Sequence, residues 1–113
     1  MSEKITVRIK PLSVNDAWRG RRFKTSEYKQ FENAVMALLP KTLYIPVNHY
    51  TNEMEIYLNF GVSSKGFDWD NAIKPFVDVL QKKYGFNDNK IYKAVIEKTI
   101  VKKGDEFIRF ELK

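Results

Sequence analysis

The chain has 113 residues, with twenty Lys and Arg against fourteen Asp and Glu, a net charge of +6 and a pI near 9.5. That length holds one hydrophobic core and not two, and the cationic excess favours a polyanionic partner, nucleic acid first. The absence of cysteine excludes disulfides, thiolate zinc sites and a catalytic thiol, and the single histidine, His49, excludes a multi-histidine metal site within one chain.

No apolar run approaches the roughly 18 residues of a membrane span, and Met1-Ser2-Glu3-Lys4-Ile5 lacks the apolar core of a signal peptide. A cytoplasmic protein without membrane contact is expected.

Ile5, Val7 and Ile9 alternate with Thr6, Arg8 and Lys10, the period of a half-buried strand, and Pro11 ends its pairing. A cationic loop follows over residues 12–25, where Arg19, Arg21, Arg22 and Lys24 are interleaved with Trp18 and Phe23. Cations would grip phosphates there while an aromatic ring stacks on an exposed base. The alternative is a solvated basic loop with two aromatics tucked into the core. Ser26 is placed to cap a helix whose apolar positions Tyr28, Phe31, Val35, Leu38 and Leu39 follow helical spacing, and Pro40 stops it.

Residues 41–51, which follow Pro40 and hold Pro46 and Asn48, favour a loop. Met54, Ile56, Leu58 and Phe60 then alternate with Glu55, Tyr57 and Asn59, which predicts a strand with one face in the core. Ile73, Phe76, Val77, Leu80 and Tyr84 form the stripe of an amphipathic helix that Gly85 ends, and Lys82-Lys83 would lie on a solvated face. Two further strand-like runs, 91–101 and 106–112, are separated by Lys103-Gly104-Asp105, which reads as a hairpin turn. The order β-α-β-α-β-β predicts one α/β (α+β) domain spanning residues 1–113. Its core would be a small mixed sheet of about four strands with both helices packed on it.

Between that second strand and the end of the helix the chain turns acidic. Asp70, Lys74 and Asp78 advance by only about 40° per step around a helix and form one row beside the buried stripe. Asp68 precedes the helix, so two carboxylates two residues apart can converge at its entry, with Trp69 between them as an anchor. Pro75 lacks the N–H that would bond the carbonyl of Asn71. Asp88 follows the helix and would have to return about 20 Å to join them. Such a cluster suits Mg²⁺, with Mn²⁺ as substitute, because hard cations take carboxylate oxygens and a substrate phosphate. Lys74 would meet the charge that develops on a reacting phosphate. The alternative is structural: a capping aspartate followed by two i,i+4 salt pairs on a solvated face.

The segment resembles the RusA family of Holliday junction resolvases. The family's Asp-x-Asp-Asn, lysine and Asp-x-Leu stand here as Asp68-Trp69-Asp70-Asn71, Lys74 and Asp78-Val79-Leu80. Its later Gly-Phe, spacer and acidic pair before a strand match Gly85-Phe86-Asn87-Asp88-Asn89-Lys90-Ile91, and its proline, Ser-x-Asn and basic aromatic loop match Pro11, Ser13, Asn15, Trp18 and Arg19. The likeness covers most of the chain and is most specific over residues 67–91. It departs at Asn87, where the family has an acid.

The resemblance implies a bacterial or phage-encoded Mg²⁺-dependent endodeoxyribonuclease that resolves four-way and related branched DNA by phosphodiester hydrolysis in recombination and repair. Asp68, Asp70 and Asp88 would be metal-binding and catalytic acids, Lys74 the catalytic lysine, and Asn71 and Asp78 support residues. Asn15, Arg19, Arg21, Arg22 and Lys24 would contact DNA. A homodimer is implied, since a four-way junction has two symmetric strands to cut. The alternatives are a branched-DNA-binding protein that kept the fold and lost the chemistry, and an interaction protein whose acids are only caps and salt pairs.

Overall fold

The computed structural model describes residues 3–14, 18, 19, 23–48 and 50–113, with Trp18, Arg19, Phe23 and Lys24 described by their backbone alone. The elements are β1 (Ile5–Val7), β2 (Trp18–Arg19), β3 (Phe23–Lys24), α1 (Ser26–Leu38), β4 (Met54–Val62), α2 (Asp70–Tyr84), a 3₁₀ turn (Asp88–Lys90), β5 (Ile91–Ile100) and β6 (Phe107–Leu112). Four strands form one mixed sheet in the order β1-β6-β4-β5, and both helices pack on one face of it.

Alternation along β4 divides the two faces. Met54, Ile56, Leu58, Phe60 and Val62 are buried against Phe31, Val35 and Leu39 from the first helical segment and Phe76, Val77 and Leu80 from α2, while Glu55, Tyr57 and Asn59 point the other way. From β6 come Ile108, Phe110 and Leu112, and the Phe110 ring meets Phe76 edge-on at 5.4 Å. On the face without helices, Phe107 is buried under Arg109 and Arg8, whose guanidinium groups lie 4.9 and 6.0 Å from the ring centre. Gly61 lets that ring close down on β4, because a Cβ there would be driven into it.

The expected hairpin between the last two strands does not form. Residues 102–105 do make a turn, Asp105 donating to the Lys102 carbonyl at 2.9 Å, but the strands on either side of it lie on opposite sides of β4. β6 runs antiparallel to β4 and β5 runs parallel to it, with Ile56 facing Ala94 and Val62 facing Ile100. The physical reason is apolar content. β6 carries enough apolar surface to be covered from both sides, whereas Lys93, Glu97 and Lys98 suit an edge. β4, α2 and β5 are thus a parallel crossover unit.

Two smaller expectations also change. Thr25, not Ser26, caps α1, its hydroxyl accepting from the Tyr28 N–H at 3.1 Å. Lys82 and Lys83 do not lie on a merely solvated face. Lys83 donates to the carbonyls of Met36 (2.6 Å) and Leu39 (3.3 Å), Tyr84 donates to that of Pro40 (2.6 Å), and Lys82 pairs with Glu32 at 3.0 Å. A cation thereby satisfies the last carbonyls of α1 and ties its end to the end of α2. The cationic loop contains the two-residue ladder of β2 and β3, Trp18 opposite Lys24.

Candidate active site

α2 begins at Asp70, and its first turn is closed by backbone alone: Asn71 donates to the Asp68 carbonyl and Ala72 to that of Trp69, both at 3.1 Å. Trp69 is the N-cap residue and makes no side-chain cap. The side chains of Asp68 and Asp70 are exposed, and neither makes a hydrogen bond or ion pair among the described residues. Capping therefore does not employ them.

The segment before Asp68 is held from outside. Lys98 on β5 donates to the carbonyls of Lys65 (2.9 Å) and Phe67 (3.0 Å), while the Ser64 hydroxyl accepts from Gly66 at 3.3 Å and the Phe67 ring packs on the core. Lys98 is a residue that sequence reasoning missed; its signal was a lysine on a strand position whose neighbours Ile96 and Ile100 are apolar. Trp69 is not the packing anchor expected of it, since 44% of it stays exposed beside the two acids. A groove of about 660 Å³ opens next to Phe67, lined also by Pro11, Leu12, Ser13, Phe31 and Ser64.

Farther along α2, Lys74 lies over Asp78 at 3.4 Å, one of the two salt pairs in the structural alternative, with the lysine the more exposed partner. Asn71 is half-buried. Pro75 is buried within the helix without ending it. Asp78 also accepts from Gln81 (3.4 Å) and faces Tyr28. Burial first, then the charges of Asp78 and Glu32, pushes the Tyr28 hydroxyl up to about 12.

Asp88 sits in the turn beyond the helix. Gly85, at φ 74°, ends α2 in the left-handed conformation that glycine adopts without strain. The Asp88 N–H donates to Gln81 Oε1 at 2.8 Å, and Asn87 Oδ1 accepts from the Asn89 N–H at 3.0 Å. Asn87 thus caps the turn that carries Asp88, work an aspartate would do as well.

Asp68 and Asp70 stand two residues apart at the entry of α2, and within one chain Asp88 does not join them. Gln81, which holds Asp88, lies three turns beyond Asp70, roughly 16 Å along the helix. The strand gives the same answer: Asp88 precedes Ile91 at one end of β5, while Lys98 touches the Asp68 segment roughly 23 Å away. No group of three or more His, Asp or Glu side chains able to hold a metal occurs among the described residues. Of the expected DNA contacts, Asn15, Arg21 and Arg22 lie outside the described residues, as does His49, while Arg19 and Lys24 fall on the β2 and β3 backbones.

A two-layer α+β fold thus presents an exposed acid pair at a helix entry on a basic chain. The family model for the endodeoxyribonuclease RusA matches residues 9–111, and the chain belongs to that family, whose members resolve branched DNA junctions. Comparison with curated proteins finds no match. No helix among the described residues is long and apolar enough to cross a membrane.

Proposed function

We propose that this chain is a metal-dependent endodeoxyribonuclease that resolves four-way and related branched DNA by hydrolysing phosphodiesters, acting as a homodimer on its two symmetric strands. The observation that carries the reading is the pair Asp68 and Asp70, two residues apart at the helix entry, exposed and without hydrogen bond or ion pair among the described residues. Two exposed carboxylates near each other in sequence, with no hydrogen bond or ion pair among the described residues, leave their oxygens available to a cation. Their donor set is hard oxygen, which fits Mg²⁺ or Mn²⁺, with Asp88 as the third acid. A divalent ion bound there would polarise a phosphoryl group and lower the pKa of its water.

The chain's own residues do the remaining work. Lys98 and the first turn of α2 fix where the two carboxylates stand. Lys74, held one turn along by Asp78, offers an exposed ammonium to charge developing on the phosphate. Asn71 and Asp78 support that row, and Arg19, Arg21, Arg22, Lys24 and Asn15 grip the backbone of the DNA. The test is cleavage of a synthetic four-way junction with Mg²⁺ or Mn²⁺: wild type nicks it, and Asp70→Asn retains binding with cleavage lowered by about a thousandfold. Equal nicking by both overturns the reading.

The separation of Asp88 from Asp68 in one chain favours a second reading, a branched-DNA binder without chemistry. Tight junction binding with no cleavage in either metal would select it.

A further inference from the structure

Trp69 stands between Asp68 and Asp70 at the N-cap of α2, and the fold makes little use of its ring. It closes no cap. The core takes Phe67 from the same segment and leaves Trp69 out, with nearly half of it exposed. Its indole has no hydrogen bond, ring pair or cation–π partner among the described residues. Nor does it line the groove that opens next to Phe67.

An N-cap favours Ser, Thr, Asp or Asn, whose short side chains bond the first turn, so a tryptophan there does nothing for the helix. Its backbone is nonetheless braced. Lys98 holds the Phe67 carbonyl at 3.0 Å, and the Trp69 carbonyl accepts from the Ala72 N–H at 3.1 Å. A large flat ring is thereby carried at a fixed place in the chain, one residue from each acid.

We propose that Trp69 is a stacking platform for a nucleobase beside the reacting phosphate, and that it favours a branch over continuous duplex. The proposal rests on the function given above, since the ion on the two acids would place the phosphate. A base inside a continuous duplex has neighbours on both faces. At a branch point the stack is interrupted, and a base there offers one face to an aromatic ring.

The ring suits this place chemically. A third carboxylate at residue 69 would compete for the cation, and a lysine would pair with the acids. An indole holds the uncharged part of a nucleotide and leaves the carboxylate oxygens to the ion. Every base has a π-face, so stacking is tolerant of base identity. The platform selects the shape of the DNA and not its sequence.

Two measurements test this. The emission of wild type minus that of Trp69→Phe is the signal of Trp69. A four-way junction bound in Ca²⁺, which takes the same oxygen ligands, should quench it, and a blunt duplex at equal occupancy should leave it unchanged. The second measurement is affinity. Trp69→Leu keeps an apolar side chain and removes the π-face, so junction binding should weaken about tenfold while duplex binding holds. Trp69→Phe should keep most of the preference. Both variants should melt within a few degrees of wild type, because the ring lies outside the core.

Equal quenching by junction and duplex, or a Trp69→Leu chain with the wild-type preference, overturns the platform; cleavage by wild type then leaves the proposed function standing. Emission that follows protein concentration without DNA and ignores the junction assigns the ring to a contact between copies and overturns it too. Junction-specific quenching in a chain that cuts nothing with Mg²⁺ or Mn²⁺ supports the platform and removes the catalytic reading.

Discussion

Lys98 donates from the outer strand to the carbonyl of Phe67 at 3.0 Å, so the residue before Asp68 is held by a cation 31 residues further along the chain. The bond runs from the end of β5 to the entry of α2. Lys98→Met keeps the aliphatic stem and removes both bonds. Single-turnover nicking of a saturating junction should fall about tenfold, because the acids lose their placement. The melting temperature should stay within a few degrees of wild type, since the ammonium is exposed, and Lys98→Arg should recover most of the rate.

Gly61→Ala tests the close approach of Phe107 to β4. The added methyl enters the ring of Phe107, so either strand or ring must shift. Urea unfolding should show a loss of about 1–3 kcal/mol, the usual effect of overpacking. Adding Phe107→Leu should return part of it by making room.

Lys83→Met removes the cation that caps the end of α1. The carbonyls of Met36 and Leu39 lose their partner at a half-buried helix end. Stability should drop by about 1–2 kcal/mol in chemical denaturation. Junction cleavage at a temperature where the variant is folded should not change.

Tyr28 gives the protein an alkaline weakness. Its hydroxyl is held up at about 12 in the fold against an ordinary value of 10, by burial first and then by Asp78 and Glu32. Between those values the unfolded chain has released the proton and the folded chain has not, so the unfolded state binds fewer protons and stability falls as pH rises. The contribution is complete below pH 10 and lost through about pH 12. Tyr28→Phe should flatten that limb relative to wild type in melts recorded from pH 9 to 12.

Local pattern was enough for much of this molecule. The two-period alternation of β4 and the helical stripe of α2 are set by which side chains must leave water, and Gly85 ends the helix because its position needs a positive φ. The Asp-x-Asp-Asn signature with Lys74 was legible because it sits within one helical turn and its entry. Capping was the bland alternative for the pair, and the backbone-closed first turn removes it.

Only tertiary structure decided which strands neighbour which, and with that the fate of Asp88. Residues 91–101 and 106–112 look like a hairpin because the turn between them is real, yet β4 lies between them. Strand order is a contest between distant surfaces for burial, and β6 takes the central place by its apolar content. Placing β5 outermost carries Lys98 to the loop before Asp68 and holds Asp88 at the far end of α2. A sequence lists the three acids in order. The rise of a helix and the direction of a strand determine how far apart one chain must keep them.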